Sequence, residues 1–137
     1  MNAVGIDVSK GKNTVVVIQP FGVVIAEPFD VSHTESDLNK LVKLIKSLSG
    51  ETKVVMEYTG AYYEPIANAL HNQGIFVSVV NPLLIDDYGT NRVRKVKTDK
   101  KDSLKIASFA IDKWFDLREY IPANDIRKTL KILNRQY

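Results

Sequence analysis

The chain has 137 residues, 45% hydrophobic and 26% charged, with no cysteine and two histidines, His33 and His71. That size suits one domain able to bury roughly two thirds of its unfolded surface. The composition excludes a disulfide scaffold, a thiolate zinc site and a cysteine nucleophile, and nearly excludes a histidine metal cage. No apolar run approaches the ~20 residues of a membrane span, and no signal-peptide stretch opens the chain. The expectation is a soluble, cytoplasmic protein with no membrane partner. The net charge of +3 divides unevenly: residues 1–91 carry −4 and residues 92–137 carry +7. A basic final third on an acidic body points to a polyanionic partner, nucleic acid before anionic lipid.

In chain order, three strands come first. Ala3-Val4-Gly5-Ile6-Asp7-Val8 is a short apolar run, and Ser9-Lys10-Gly11-Lys12-Asn13 supplies turn chemistry. Thr14-Val15-Val16-Val17-Ile18 is β-branched throughout, Pro20-Phe21-Gly22 marks a second turn, and residues 23–26 open the third strand. Loops this short join only antiparallel neighbours. The period then becomes helical over Leu38, Leu41, Val42, Ile45 and Leu48, with Ser32 and Glu35 at capping-box spacing and Gly50 as C-cap glycine. Residues 53–57 form a buried strand. A second helix places Tyr63, Ile66, Ala67 and Leu70 on one face, tolerates Pro65 near its first turn and ends at Gly74. Residues 75–80 form the fifth strand, and a short helix follows over 83–88. A basic loop without period covers 89–97, and a helix resumes from Thr98 through Ile111, with Trp114, Phe115 and Leu117 packing at its end. Pro122 begins a last helix bearing Ile126, Leu130 and Leu133. The order β-β-β-α-β-α-β-α-α predicts an α/β fold of ribonuclease H-like architecture. Its mixed five-stranded sheet has the first three strands antiparallel and helices on both faces. An actin-like ATPase contains the same succession, so topology alone leaves function open.

Acids occupy three unusual places. Asp7 lies inside the first apolar run, and Glu57 closes the fourth strand. With strands one and four parallel neighbours, both reach the same end of the sheet, where open α/β sheets hold ligands. Asp99 and Asp102 stand i,i+3 at a helix start and share one face. Each has a plain alternative: Asp99 as an N-cap with Asp102 at N3, Asp7 as a turn acid, Glu57 as a cap of the following helix. Four converging carboxylates repel one another unless cations neutralise them, and an all-oxygen donor set selects Mg²⁺ or Mn²⁺. Two such ions would serve phosphodiester chemistry. Arg92, Arg94, Lys95, Lys97, Lys100, Lys101 and Lys105 surround the two aspartates, suiting a phosphate-backbone substrate. His33 and His71 read as surface or capping residues. Tyr58, Tyr62 and Tyr63 read as packing residues, with base stacking a remote alternative. No Walker motif or GxGxxG loop is present.

Four motifs then stand in order: Gly5-Ile6-Asp7-Val8-Ser9-Lys10, Met56-Glu57-Tyr58-Thr59-Gly60-Ala61-Tyr62, Asn81-Pro82, and Lys97-Thr98-Asp99-Lys100-Lys101-Asp102. Together they resemble the DEDD-type insertion-sequence transposases, whose N-terminal domain is similar to the Holliday-junction resolvase RuvC. The resemblance implies a catalytic and metal-binding tetrad of Asp7, Glu57, Asp99 and Asp102; Lys10 and the cations at 92–101 are the expected nucleic-acid-binding residues. It implies Mg²⁺-dependent DNA transposition and recombination, a DNA partner, a structured guide RNA, and a homo-oligomer in the full-length protein. Ser103 stands where the family usually has Ala. The family continues into a helical linker and a C-terminal domain carrying a serine nucleophile. The expectation is therefore a RuvC-like domain over 1–121 and the start of that linker over 122–137, inactive in recombination by itself. One competing reading is a fragment of an actin-like sugar kinase or ATPase, although Ser9-Lys10 stands where such proteins usually carry Gly-Gly or Gly-Thr. Another is a non-catalytic nucleic-acid-binding module.

Overall fold

The computed structural model of the chain describes residues 1–58, 60, 62–89 and 99–122; the side chains of residues 87–89 and 99–101 lie outside the description. Strands β1 (Asn2–Val8), β2 (Asn13–Gln19) and β3 (Val23–Val31) form an antiparallel meander. Then come α1 (Glu35–Ser47), β4 (Thr52–Glu57), α2 (Tyr63–Asn72), β5 (Val77–Val80), α3 (Pro82–Gly89) and α4 (Asp99–Asp112). The sheet order is β3-β2-β1-β4-β5, with β1 parallel to β4 and β4 parallel to β5. This is the expected mixed sheet: short turns permit only hairpins, whereas α1 and α2 supply the length that parallel crossovers need. The basic segment 90–98 and the last expected helix, over 123–137, lie outside the described residues. Among the described residues no helix is long and apolar enough to cross a membrane.

Alternation along the strands divides the core in two. Val4, Ile6, Val15, Val17, Val54 and Met56 face α1 and α2, where Leu41, Ile45, Ile66 and Leu70 complete a wholly apolar layer. Ala3, Val16, Ile18, Val55 and Val80 face the opposite way, against Ile106, Ala107, Phe109 and Ala110 of α4. Helices thus cover both faces of the sheet.

Local details differ from the sequence reading in three places. The N-cap of α1 is Thr34, whose hydroxyl accepts from the Asp37 N–H at 3.3 Å, rather than Ser32. Asp37 in turn accepts from the Ser32 N–H at 3.0 Å, and that hydrogen bond holds its carboxyl below the ordinary range. The C-cap of α1 is Leu48, whose N–H donates to the Ile45 carbonyl, so Gly50 with φ of +88° turns the chain two residues later. Phe115 is 93% exposed rather than packed, while its neighbour Trp114 is buried. The Trp114 indole N–H donates to Glu51 at 3.2 Å, and Lys53 donates to the Trp114 carbonyl at 2.8 Å with its ammonium over the indole ring. This clamp fixes the C-terminal end of α4 to the start of β4.

Candidate functional site

The site begins with a missing side chain. A Cβ on Gly5 would lie 2.6 Å from the Ala107 backbone nitrogen and 2.8 Å from the Ala107 Cβ, and closer still to the Ser103 carbonyl oxygen. Those neighbours are mostly helix backbone, which cannot rotate aside, so only glycine lets α4 lie this close to β1. Ser103 is fully buried at that contact.

From this contact the acids follow by geometry. Asp7 lies two residues beyond Gly5 and alternates to the same face. The register pairs Ile6 with Met56, which brings Asp7 and Glu57 level on adjacent parallel strands, both on the α4 side. Asp102 directly precedes the buried Ser103, so it sits where α4 crosses β1. Asp99 is the first residue of α4, one turn earlier; its side chain lies outside the description.

Glu57 feels both its burial and the charges around it. The Glu57 carboxyl is pushed above its ordinary value first by burial, then by the negative charges of Asp86 and Asp102; Lys105 opposes the rise. Asp86, on α3, is the acid that the sequence reading missed. Its signal was available: α3 directly follows β5, and Val80 of β5 pairs with Glu57. The N-cap of α2 is Tyr62, which makes no side-chain cap bond.

Of the expected cationic residues, Lys10 is exposed in the β1–β2 turn at the same end of the sheet. That turn is closed by the Ser9 N–H and hydroxyl, which both donate to the Lys12 carbonyl, at 3.0 and 2.6 Å. The His33 ring Nε2 stands 2.7 Å from the Ser9 carbonyl, so this histidine braces the turn. Lys105 pairs with Asp86 at 3.3 Å. Arg92, Arg94, Lys95 and Lys97 lie outside the described residues, as do the side chains of Lys100 and Lys101. Tyr63 is buried against Tyr58, ring centroids 4.9 Å apart, whereas Tyr58 and Tyr62 are exposed.

Among the described residues no three acidic or histidine side chains stand in metal-ligating geometry. The donor chemistry nonetheless fits a hard divalent cation. Every candidate ligand offers carboxylate oxygen, the donor type a hard divalent cation prefers, and such a cation would favour the ionised form of Glu57 that burial, and then neighbouring acids, disfavour. A cavity of about 590 Å³ opens between β5, α3 and the end of α4, walled by Val80, Leu84, Phe109 and Leu117. None of Asp7, Glu57 or Asp102 lines it.

A transposase family model, DEDD_Tnp_IS110, matches residues 4–137. The chain belongs to this DEDD transposase family. Over 84 residues it is 31% identical to the pilin gene-inverting protein of Moraxella lacunata and 30% identical to that of Moraxella bovis. Each match covers 61% of this chain and 26% of the relative, so the chain spans about a quarter of the curated relatives it matches. Among solved structures, Thermus thermophilus RuvC superposes with a TM-score of 0.59 at 12% identity, covering 88% of this chain and 100% of that one. The same RuvC in complex with a Holliday junction substrate gives 0.60 at 11% identity, covering 88% and 99%. The fold of this family member is therefore RuvC-like, a ribonuclease H-like sheet.

Proposed function

We propose that this chain is the RuvC-like catalytic portion of a DNA transposase or recombinase, with Asp7, Glu57, Asp99 and Asp102 as its metal-binding tetrad. The observation that supports the reading is the register that sets Asp7 and Glu57 level on β1 and β4, with Asp102 beside the point where α4 packs on Gly5. Membership of the transposase family supports DNA recombination. The relatives named for pilin gene inversion and the RuvC bound to a Holliday junction support a DNA substrate.

Mg²⁺ or Mn²⁺, as a pair, would supply activation of an attacking oxygen and stabilisation of the leaving oxygen in phosphodiester cleavage. The chain's own contribution is positional. Two strands and one helix hold the carboxylates, and the Gly5 contact sets how near α4 brings its pair. Lys10 stands beside the same sheet edge, where its ammonium can meet a flanking phosphate. The cations at 92–101 extend that role along a backbone. On the same reading the domain boundary falls at 121–122, and strand exchange involves a guide RNA and an oligomer, as the family resemblance implies.

Divalent-ion titration followed by thermal melting tests the tetrad. A ligand bound by the folded state alone raises the melting temperature by mass action. Wild type should gain stability with Mg²⁺ or Mn²⁺, and Asp7→Asn should lose most of that gain. Equal responses from the two chains would leave a nucleic-acid-binding module without metal chemistry.

A further inference from the structure

The carboxylate site contains a cation of its own. Lys105 lies on α4 three residues beyond Asp102, on the same side of the helix. Its ammonium stands 3.3 Å from Asp86 Oδ1 on α3, and its side chain is only 18% exposed against 64% for Asp86. A solvated helix face would leave a lysine in water. Here the long stem is covered, and the ammonium lies between Asp102, one turn earlier on its own helix, and Asp86 on α3, the helix that follows the strand paired with Glu57. Of the seven cations between residues 92 and 105, Lys105 is the one whose side chain the structure describes. That side chain faces acids on neighbouring elements.

The geometry points to Lys105 as the built-in counter-cation of the site: a positioning residue, held by Asp86, that offsets carboxylate repulsion before metal binds and weakens divalent-ion affinity. The reasoning is Coulombic. A fixed positive charge near the carboxylates stabilises the metal-free site more than the metal-bound one, whose negative charge the bound cation has already offset. That difference weakens metal binding. The inference rests on the metal-site reading above, and nothing in the family resemblance assigns a role to this lysine.

The test uses the full 137-residue chain and Mg²⁺ alone, read by calorimetric titration and by the Mg²⁺-dependent rise in melting temperature. Lys105→Met should melt lower without metal and bind Mg²⁺ more tightly, on the order of tenfold. Lys105→Arg keeps the charge and should bind within about twofold of wild type. Lys105→Gln provides the neutral comparison should the methionine variant fail to fold. Wild-type affinity in both neutral variants would overturn the inference, as would equal tightening by Lys105→Arg, because packing rather than charge would then govern the site. A Mg²⁺ response in wild type that Lys105→Met leaves unchanged defeats this inference and leaves the tetrad intact. No response in any of the chains defeats the tetrad reading, and this inference with it.

Discussion

The two faces of the sheet are built from alternate residues of the same strands, yet they are packed by different rules. Toward α1 and α2 the strands present Val4, Ile6, Val54 and Met56, and the helices answer with Leu41, Ile45, Ile66 and Leu70. Toward α4 they present Ala3, Gly5 and Val55, and the helix answers with Ser103, Ala107 and Ala110. Large residues keep a helix at a distance and bury apolar area, the dominant favourable term in folding. Small residues give up area and let a helix backbone descend onto the strand. Both faces bury apolar area, Val16, Ile18, Val80, Ile106 and Phe109 doing so around the α4 crossing, but only the second also sets where α4 carries its acids.

That division can be broken from either side. Met56→Ala, on the α1/α2 face, should cost about 2–5 kcal/mol through lost burial and a residual cavity. Chemical denaturation would show it, while the Mg²⁺ binding midpoint stays at the wild-type value. A comparable loss of metal affinity would merge the two faces into one function. Gly5→Ala should cost about 1–3 kcal/mol by overpacking against the Ser103 and Ala107 backbone. This variant should also weaken the metal response, because α4 must lift away from β1. A Gly5→Ala chain that loses stability and binds Mg²⁺ as wild type would show that the acids do not depend on that contact.

Thr34→Ala removes the α1 cap and should cost about 1 kcal/mol, with no change in the metal response. Thermal melts with and without Mg²⁺ separate the two readouts. The smallest effect concerns pH. Glu57 has a raised carboxyl in the folded state, so the fold holds that proton more tightly than the unfolded chain does. Its contribution to stability therefore falls as pH rises from the ordinary value of 4.5 through the raised folded value, and stays reduced above it. Without metal, Glu57→Gln should melt higher than wild type above that window and alike below it. A Glu57→Gln chain that melts like wild type above that window would contradict the raised Glu57 carboxyl.

Much of this was legible in the sequence because hydrophobic period is a local signal. The β-branched run at 14–18, the helical spacing of Tyr63, Ile66, Ala67 and Leu70, and the short turns between the first strands gave the elements and most of the topology. The caps were less legible. Ser32, Thr34, Glu35 and Asp37 offer two overlapping capping pairs, and which one closes depends on where β3 ends. Phe115 was misjudged because an aromatic beside Trp114 has no periodic partner to say which of the two turns inward. Asp86 was overlooked since an acid in a short helix looks like ordinary surface until the strand before it is paired with Glu57.

The sequence by itself determined the element order, the apolar face of each helix and the four acids worth weighing, since each is written within a few residues of chain. Only the tertiary structure decided that Gly5 is the point where α4 meets β1, that Asp7 and Glu57 stand level, and that Lys105 faces Asp86. Those are distances between segments far apart in the chain. They depend on backbone packing and strand register, which no local pattern encodes.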